Sequence, residues 1–279
     1  MSSLKLLNLG CGNHFYDDWI NYDFVSNSEH VIQHDLLNGI PISDENVDVV
    51  YHSHVLEHLN KEDGVQFIGE CYRVLKKGGV IRVVIPDLEA IVKEYLKYLE
   101  LSVSGDSNAK DNYNWIMLEL FDQTVRNSIG GHMISYLHQL NIPNEKYVYS
   151  RIGVEGKNMR DSYLASKSKE VKVIPESKTP RKILKKIIKR LLYRKKSHSL
   201  NDNEIKALRV GEFRLSGEIH QWMYDRHSLS ELLKICGFDE VRTCSSYDSS
   251  IPSWSECNLD VSNGEVRKPD SLFMEARKK

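Results

Sequence analysis

Short apolar runs separated by polar loops fill the amino-terminal part of the chain, and this pattern predicts alternating strands and helices. The strands are expected at Lys5–Leu9, Asp18–Phe24, Val31–His34, Val47–His52 and Val80–Ile85. Between the last two, EDGVQFIGECYRVLKKGG predicts a helix that buries Val65, Ile68, Tyr72 and Leu75 and is capped by Gly78 and Gly79. Strands alternating with crossover helices indicate an α/β fold with a Rossmann-like, doubly wound, mostly parallel sheet.

Longer helical patterns follow Pro86. They cover Leu88 to Leu101 and Tyr113 to Leu140, with the polar joint SVSGDSNAKDN between them. The sheet pattern resumes in SLSELLKICGFDEVRTCS, a helix capped by Gly237 and then a strand, and DSLFMEARKK predicts the last strand. We therefore expect a core built from residues 1–100 and 211–279, with a helical insertion or lid at 101–210.

Glycines and acidic residues follow the first three predicted strands. Gly10, Cys11 and Gly12 end the first strand, and Asp23 and Asp35 end the second and third. Glycine allows positive φ and lets a ligand lie against backbone amides, and ligands of open α/β sheets bind at the carboxyl ends of strands. A carboxylate there can accept ribose hydroxyls or face an adenine amine, so the pattern predicts a nucleotide-type cofactor site.

Two alternatives to this site remain. The glycines could make only a tight turn while the acids cap helices. An NAD site usually requires a complete GxGxxG motif that opens a helix, and this loop lacks it.

Five segments in order carry a family resemblance. LNLGCG, YDF, HDLLNGIPISDENVDVVYHSHVLEHL and ECYRVLKKGGVIRVVIPDL span residues 4 to 88, and HQWMYDRHSLSELLKICGF follows at 220–238. They resemble class I S-adenosylmethionine (SAM)-dependent methyltransferases, in particular a bacterial branch associated with surface-glycan biosynthesis. The resemblance implies SAM as cofactor.

The same resemblance implies positions for the parts of SAM. The methionine lies beside Gly10, Cys11 and Gly12, the ribose at Asp23, the adenine at Asp35 and Leu36, and the sulfonium near Ser53. This chain departs from the family pattern because Asn13 or His14 stands where the loop usually has a third glycine. About ten residues separate Gly12 from Asp23, so the first crossover must be short.

The segment HSHVLEHL after the fourth strand supplies candidates for catalysis. Transfer to a hydroxyl requires loss of a proton, and histidine titrates in the appropriate range. We expect His54, Glu57 and His58 near the acceptor, with the two histidines on one helical face. Glu57 and His58 could instead only brace the helix.

The HxxEH spacing could also bind a divalent metal. It resembles the ExxEH segment that holds magnesium in some O-methyltransferases of ubiquinone synthesis and of small-RNA ends. His54 replaces the first acid, which is unfavourable for an ion that prefers oxygen ligands. The sequence therefore leaves the metal unknown.

Two further segments could contribute to an acceptor pocket. His220 in GEIHQWMYDRHSL is a second candidate base, or a packed histidine, with Trp222 and Tyr224 as a pocket wall. In FDQTVRNSIGGHM we expect substrate-binding residues on one helical face, with an arginine that could clamp a phosphate or carboxylate. These residues are Asp122, Gln123 and Arg126. The alternative is a solvated helix that ends at a glycine cap.

Basic residues cluster late in the predicted insertion. Nine Lys and Arg lie between Arg181 and Lys196 without an acid, although the net charge of the chain is -1. TPRKILKKIIKRLLYRKK predicts a basic amphipathic helix at 179–196 suited to an anionic membrane surface. A solvated helix packed on the domain is an alternative, and nucleic-acid binding is disfavoured because no aromatics are interleaved for base stacking.

The remaining composition favours a cytoplasmic protein. Five cysteines form no CxxC pair, and no run reaches the roughly 18 apolar residues that span a bilayer. We expect a SAM-dependent methyltransferase that modifies a hydroxyl or phosphate of a bacterial surface glycan or its precursor, with peripheral attachment to the cytoplasmic face of the membrane. The alternatives are a metal-assisted methyltransferase of RNA or small molecules and a non-catalytic SAM-binding partner subunit.

Overall fold

The structure is a computed structural model that describes residues 4–170 and 200–279. The strands of its main sheet are β1 Leu6–Leu9, β2 Ile20–Asp23, β3 Val31–Gln33, β4 Val47–Ser53, β5 Leu75–Pro86, β6 Phe238–Cys244 and β9 Ser271–Lys278. A small hairpin pairs β7 Val261–Ser262 with β8 Glu265–Val266. The order across the seven-stranded sheet is β3-β2-β1-β4-β5-β9-β6.

Strand directions confirm the predicted fold class. Strands β3, β2, β1, β4 and β5 are parallel to one another, and β9 runs antiparallel between β5 and β6. The sheet order reverses between β1 and β4, where a doubly wound sheet opens a crevice at its carboxyl edge. The architecture is a Rossmann-like, mostly parallel α/β fold.

Helices flank the sheet and make up much of the described chain between β5 and β6. They are α1 Lys61–Val74, α2 Leu88–Val103, α3 Ala109–Val125, α4 Gly131–Leu137, α5 Glu145–Glu170, α6 Asp202–Arg214, α7 Arg226–Ile235 and α8 Trp254–Cys257. Short 3-10 turns cover Leu36–Asn38 and Leu56–His58. Gly153, with φ of 62°, interrupts α5.

The predicted basic helix at 179–196 lies outside the described residues. Among the helices that the structure does describe, none combines the length and the apolar character that crossing a bilayer requires.

The predicted end of the first helix is wrong. Helix α1 ends at Val74, and Leu75 already begins β5, which pairs with β4 on one side and β9 on the other. A Cβ on Gly79 would lie 2.8 Å from the carbonyl oxygen of Lys76, so this glycine permits close packing inside the strand. The buried face also differs, because Val65 is exposed while Phe67 and Cys71 are buried.

Both faces of the sheet are covered by apolar side chains. One face packs against α1 and α7 through Ile68, Leu229 and their neighbours, and the other packs against Trp19 and Trp254. Burial on two faces fixes the strand register. The sheet therefore holds the loops that follow β1, β2 and β4 in defined positions at one edge.

Candidate functional site

The loop after β1 has a backbone that requires glycine. Gly10 and Gly12 have φ values of 64° and 56°. A Cβ on Gly10 would lie 2.3 Å from Cγ2 of Val55, whereas one on Gly12 would meet no atom within 4 Å. Gly10 therefore allows close packing against the turn after β4, and Gly12 leaves open space where a ligand can approach the backbone.

Asp23 is connected directly to this loop. Its Oδ2 accepts a hydrogen bond from the Gly12 amide at 2.7 Å, and its Oδ1 accepts one from the Val25 amide at 3.0 Å. Each carboxylate oxygen keeps a further lone pair, so Asp23 can still accept hydrogen bonds from a ribose diol. The residues present fit the predicted cofactor.

A cavity of about 450 Å³ opens over the loop. Its lining is Asn8, Gly10, Cys11, Gly12, Asn13, His14, Tyr51, Ser53, His54, Glu155, Arg267 and Lys268. The lining includes every residue predicted for the methionine and sulfonium ends of SAM. Burial, with the nearby Asp23 carboxylate, raises the pKa of the Cys11 thiol to about 12, so Cys11 contributes a neutral surface.

Neither Asp23, predicted for the ribose, nor the residues predicted for adenine line this cavity. Oδ1 of Asp35 accepts a hydrogen bond from the Leu37 amide at 3.1 Å and caps the 3-10 turn, and Leu36 packs against the core. Their role at adenine stays a prediction.

A second cavity of about 370 Å³ lies beside the first. Its lining is His54, Pro86, Gln123, Arg126, Ile129, Gly130, Met133, Ile134, Leu137, Ile152, Glu155, Gly156, Met159, Glu218, Lys268 and Asp270. Three residues, His54, Glu155 and Lys268, line both cavities. The two spaces therefore meet at His54.

The predicted substrate residues of α3 divide between the cavity and the fold. Gln123 and Arg126 line the second cavity. Asp122 does not, because its buried carboxylate accepts hydrogen bonds from the amides of His132 and Met133 and caps α4. Asp122 therefore acts on the cavity indirectly, because it caps the helix whose side chains form part of the cavity wall.

Arg126 already has an anionic partner. Its Nη2 lies 3.2 Å from Oε1 of Glu218 and also donates to the Glu218 carbonyl, while its buried Nε has no hydrogen-bond partner among the described residues. An anionic acceptor would therefore have to compete with Glu218 for the guanidinium.

His54 has a constrained position between the cavities. Its φ is 55°, which is uncommon for a residue with a side chain. Its amide donates to the Val84 carbonyl at 2.8 Å, its Nε2 lies 2.9 Å from Oγ of Ser271, and its Nδ1 lies 3.0 Å from Oε1 of Glu57. The 3-10 turn after β4, which carries Glu57, and the start of β9, which carries Ser271, thus hold both ring nitrogens of this imidazole.

Glu57 is the most buried charged group near the site. Its side chain is 1% exposed, and apart from the close contact with His54 neither carboxylate oxygen has a hydrogen bond of regular geometry among the described residues. Burial raises its pKa, but His54, His220 and His58 outweigh burial and hold the pKa below its usual range. Glu57 is therefore ionised.

His58 and His220 pack together on the opposite side of Glu57. Their rings are perpendicular with centroids 4.8 Å apart, and Nδ1 of His58 lies 3.1 Å from the Ile219 carbonyl. Burial lowers the pKa of His220 to about 3, so its ring is neutral at pH 7. Potential ligand atoms of Glu57, His58 and His220 lie within 4.8 Å of one another, whereas the sequence grouped Glu57 and His58 with His54.

The predicted aromatic wall lines neither cavity. Trp222 is 41% exposed and lies beneath the ammonium group of Lys61, and the buried Tyr224 hydroxyl has no partner in the part of the chain that the structure describes. Both side chains lie on the side of α1 rather than beside Arg126.

Three residues at the junction of the two cavities are not marked by any pattern in the sequence. Glu155, Lys268 and Ser271 come from α5 and from the region around the start of β9, far along the chain from His54. Lys268 lies 3.3 Å from Oε1 of Glu155. No local motif marks them, because only the folded sheet and the return of the helices place them together.

Comparisons with known proteins match a part of the chain. Residues 18–83 match the family model described as a methyltransferase domain. A probable S-adenosylmethionine-dependent methyltransferase from Mycolicibacterium smegmatis is 46% identical over 56 residues, which are 20% of this chain and 21% of that protein. The chain thus matches about a fifth of the length of this curated relative. These two matches support a class I SAM-dependent methyltransferase.

Two solved structures of methyltransferases are weakly similar to this chain. A possible histamine N-methyltransferase from Thermotoga maritima is 12% identical, with a TM-score of 0.37 over 100% of this chain and 84% of that chain. A SAM-dependent methyltransferase from Archaeoglobus fulgidus is 12% identical, with a TM-score of 0.38 over 99% and 86%. Structural similarities with TM-scores and sequence identities this low carry no information about substrate.

Proposed function

We propose that this protein is a SAM-dependent methyltransferase that methylates an oxygen of a bacterial surface glycan or its precursor. The observation that carries the proposal is the junction of the two cavities at His54. One cavity has the glycine loop and Ser53, and the other has Gln123 and Arg126. An acceptor in the second cavity can therefore reach a methyl donor in the first.

The chain's own residues would perform three tasks. The loop and Asp23 hold the cofactor, which when bound supplies an electrophilic methyl group on sulfur. The helices α3, α4 and α5 supply residues that would line the bound acceptor. His54 lies where the acceptor hydroxyl would lose its proton, and Glu57 orients the imidazole ring.

His54 fits the role of base better than His220. His220 is 4% exposed and lines neither cavity, whereas His54 lines both. The transfer forms the bond between methyl carbon and acceptor oxygen, breaks the bond between that carbon and sulfur, and moves the acceptor's proton to the imidazole.

The proposal also names a class of acceptor, a bacterial surface glycan or its precursor. Support comes from the family resemblance of the motifs and from Arg126 and Lys268, two cations at the cavity that could contact a phosphate or a carboxylate. Six apolar side chains share the lining, which suits an acceptor with an apolar portion. Attachment to a membrane through 179–196 stays a prediction.

The proposal is tested by cofactor binding followed by methyl transfer. Titration calorimetry should detect SAM binding to the full chain, and Asp23→Ala should abolish it, because the variant loses both the ribose contact and the link to Gly12. Asp18→Ala is the matched control, since Asp18 is exposed in the loop before β2.

The same variants then enter a transfer assay. Wild type and Asp18→Ala should move labelled methyl groups from SAM into a bacterial glycan fraction, and Asp23→Ala should not. SAM binding without transfer to any glycan fraction would overturn the glycan proposal, and transfer to RNA or small molecules alone would favour a different acceptor. Tight SAM binding by Asp23→Ala would contradict the ribose assignment.

A further inference from the structure

A cluster of potential metal ligands lies directly behind the acceptor cavity. Glu57, His58 and His220 each offer a ligand atom, and these atoms lie within 4.8 Å of one another. The amide of His220 donates to the carbonyl of Gln123 at 2.9 Å, which connects the cluster to a residue of the cavity wall.

Two members of the cluster have buried polar atoms without a hydrogen bond. Glu57 is 1% exposed and His220 is 4% exposed. Apart from the contact of His54 with Oε1, the carboxylate oxygens of Glu57 have no hydrogen-bond partner among the described residues, and Nδ1 of His220 has none. A buried carboxylate in this state is strongly unfavourable unless a cation offsets its charge.

His54 contacts only one side of Glu57. Its Nδ1 is 3.0 Å from Oε1, while Nε2 contacts Ser271. The side of Glu57 that faces His58 and His220 has no Lys or Arg ion pair among the residues that the structure describes. A cation between these three side chains would satisfy the remaining lone pairs.

The tautomer of His58 suits a ligand. The Ile219 carbonyl can only accept, so the Nδ1 of His58 that lies 3.1 Å away carries the hydrogen. Nε2 then keeps its lone pair. A carbonyl bound to the remote ring nitrogen is the usual support for a metal-binding histidine.

Backbone contacts already join the two segments of the cluster. The amides of Gln221 and Trp222 donate to the Glu57 carbonyl at 2.7 and 3.2 Å, and Nε2 of Gln221 donates to the His58 carbonyl at 2.9 Å. The 3-10 turn and the segment before α7 are thus held together before any ion binds.

We propose that Glu57, His58 and His220 bind one divalent first-row transition-metal ion, of which zinc is the representative example. Two imidazoles and one carboxylate favour such ions over magnesium or calcium, which prefer oxygen ligands. The ion neutralises the charge of Glu57 and links the segment at 219–222 to the turn at 56–58. It thereby stabilises the wall of the acceptor cavity at Gln123. This inference does not depend on the methyl acceptor.

The first test measures metal on the full chain without an affinity tag. After incubation with Zn²⁺ and removal of free ion, elemental analysis should find about one ion per chain in wild type. His220→Ala and Glu57→Gln should bind at least about tenfold more weakly. His227→Ala is the matched control, because His227 is exposed on α7, and it should bind as wild type does.

The second measurement needs no variant and so is not affected by misfolding. Wild type loaded with Co²⁺ should show the strong visible absorption of an ion with a low coordination number and nitrogen ligands. Added Zn²⁺ should displace Co²⁺ and abolish this absorption. Added Mg²⁺ should leave it unchanged.

Three results would overturn the proposal. They are no retained Zn²⁺ and no Co²⁺ absorption in folded wild type, equal binding by a folded His220→Ala variant, and displacement of Co²⁺ by Mg²⁺ alone. Circular dichroism establishes which variants are folded. None of these readouts involves methyl transfer, so the failure of this proposal is distinguishable from failure of the proposed function.

Discussion

His54 combines an unusual backbone conformation with contacts at both ring nitrogens. A histidine with φ of 55° persists only where neighbours fix it, and here Val84, Ser271 and Glu57 do so. The constraint places the imidazole at the meeting point of the cavities. The strained backbone of His54 therefore lies at the site of the proposed methyl transfer.

Replacing His54 tests its assigned role. His54→Gln should lower kcat by about 10²- to 10⁴-fold, because glutamine keeps hydrogen-bonding groups but cannot take the acceptor's proton. SAM affinity measured by calorimetry should stay within about twofold, since the loop and Asp23 hold the cofactor. His30→Gln is the control at an exposed histidine. Unchanged turnover in His54→Gln would exclude His54 as the base.

Individual residues differed in how far the sequence revealed them. The loop at Gly10 and the acid at Asp23 were predictable because each follows an apolar strand, and the carboxyl ends of parallel strands meet. His54 was predictable for the same reason. Ser271 and Glu155 were not, since their position depends on an antiparallel strand and on a helix whose packing leaves no periodic signal.

At the level of elements, α1 shows where tertiary pairing overrides a local pattern. LKKGG resembles a helix C-cap, yet Leu75 starts a strand because it pairs with Val47 of β4, and from Val80 onward β5 has partners in both β4 and β9. Gly78 and Gly79 lie between the Leu75 and Val80 pairs, where the register shifts, and Gly78 keeps a positive φ of 75°. In α7 no such competition exists, and Gly237, with φ of 99°, follows the helix as predicted.

Helix α4 depends on one side chain outside itself. Asp122 accepts hydrogen bonds from the amides of His132 and Met133 at 2.8 and 3.1 Å, at the end where the helix needs acceptors. Asp122→Ala should destabilise α4 by about 1–2 kcal/mol. Amide hydrogen exchange across 131–137 should accelerate accordingly.

The control for this element is Asp161→Ala, which removes an exposed carboxylate on α5. It should leave exchange in α4 unchanged. Because α4 supplies Met133, Ile134 and Leu137 to the acceptor cavity, its loosening should also raise KM more than it lowers kcat. Slow exchange in Asp122→Ala, equal to that of wild type, would show that Asp122 is not the cap on which α4 depends.

For the whole molecule, a buried ionic network connects the sheet to the segment before β9. Arg82 in β5 is 0% exposed and lies 2.8 Å from both Oδ2 of Asp260 and Oε1 of Glu275. Its guanidinium also lies 4.6 Å from the Trp254 ring centre. These contacts hold the 245–260 segment, which covers one face of the sheet, and the sequence contained no pattern that predicted them.

Glu275 makes this network sensitive to acid. Burial raises its pKa, but hydrogen bonds from Ser249, Ser250 and Arg242 outweigh burial and lower the pKa from 4.5 to about 2. A depressed folded-state pKa stabilises the fold above the unfolded value, and this stability is lost as pH falls through the folded value. Asp260 acts in the opposite direction, because burial raises its pKa although Arg82 opposes the change.

The contribution of Glu275 to the pH dependence of stability can be isolated by comparing wild type with Glu275→Gln. The shift corresponds to about 3 kcal/mol of unfolding free energy, which wild type should lose progressively between about pH 4.5 and pH 2. Glu275→Gln should be less stable at pH 7 because Arg82 loses a buried partner, and its curve should be flatter across this interval. Urea unfolding at successive pH values measures both curves. Parallel curves would show that Glu275 is not the titrating group that connects the carboxy-terminal strand to acid stability.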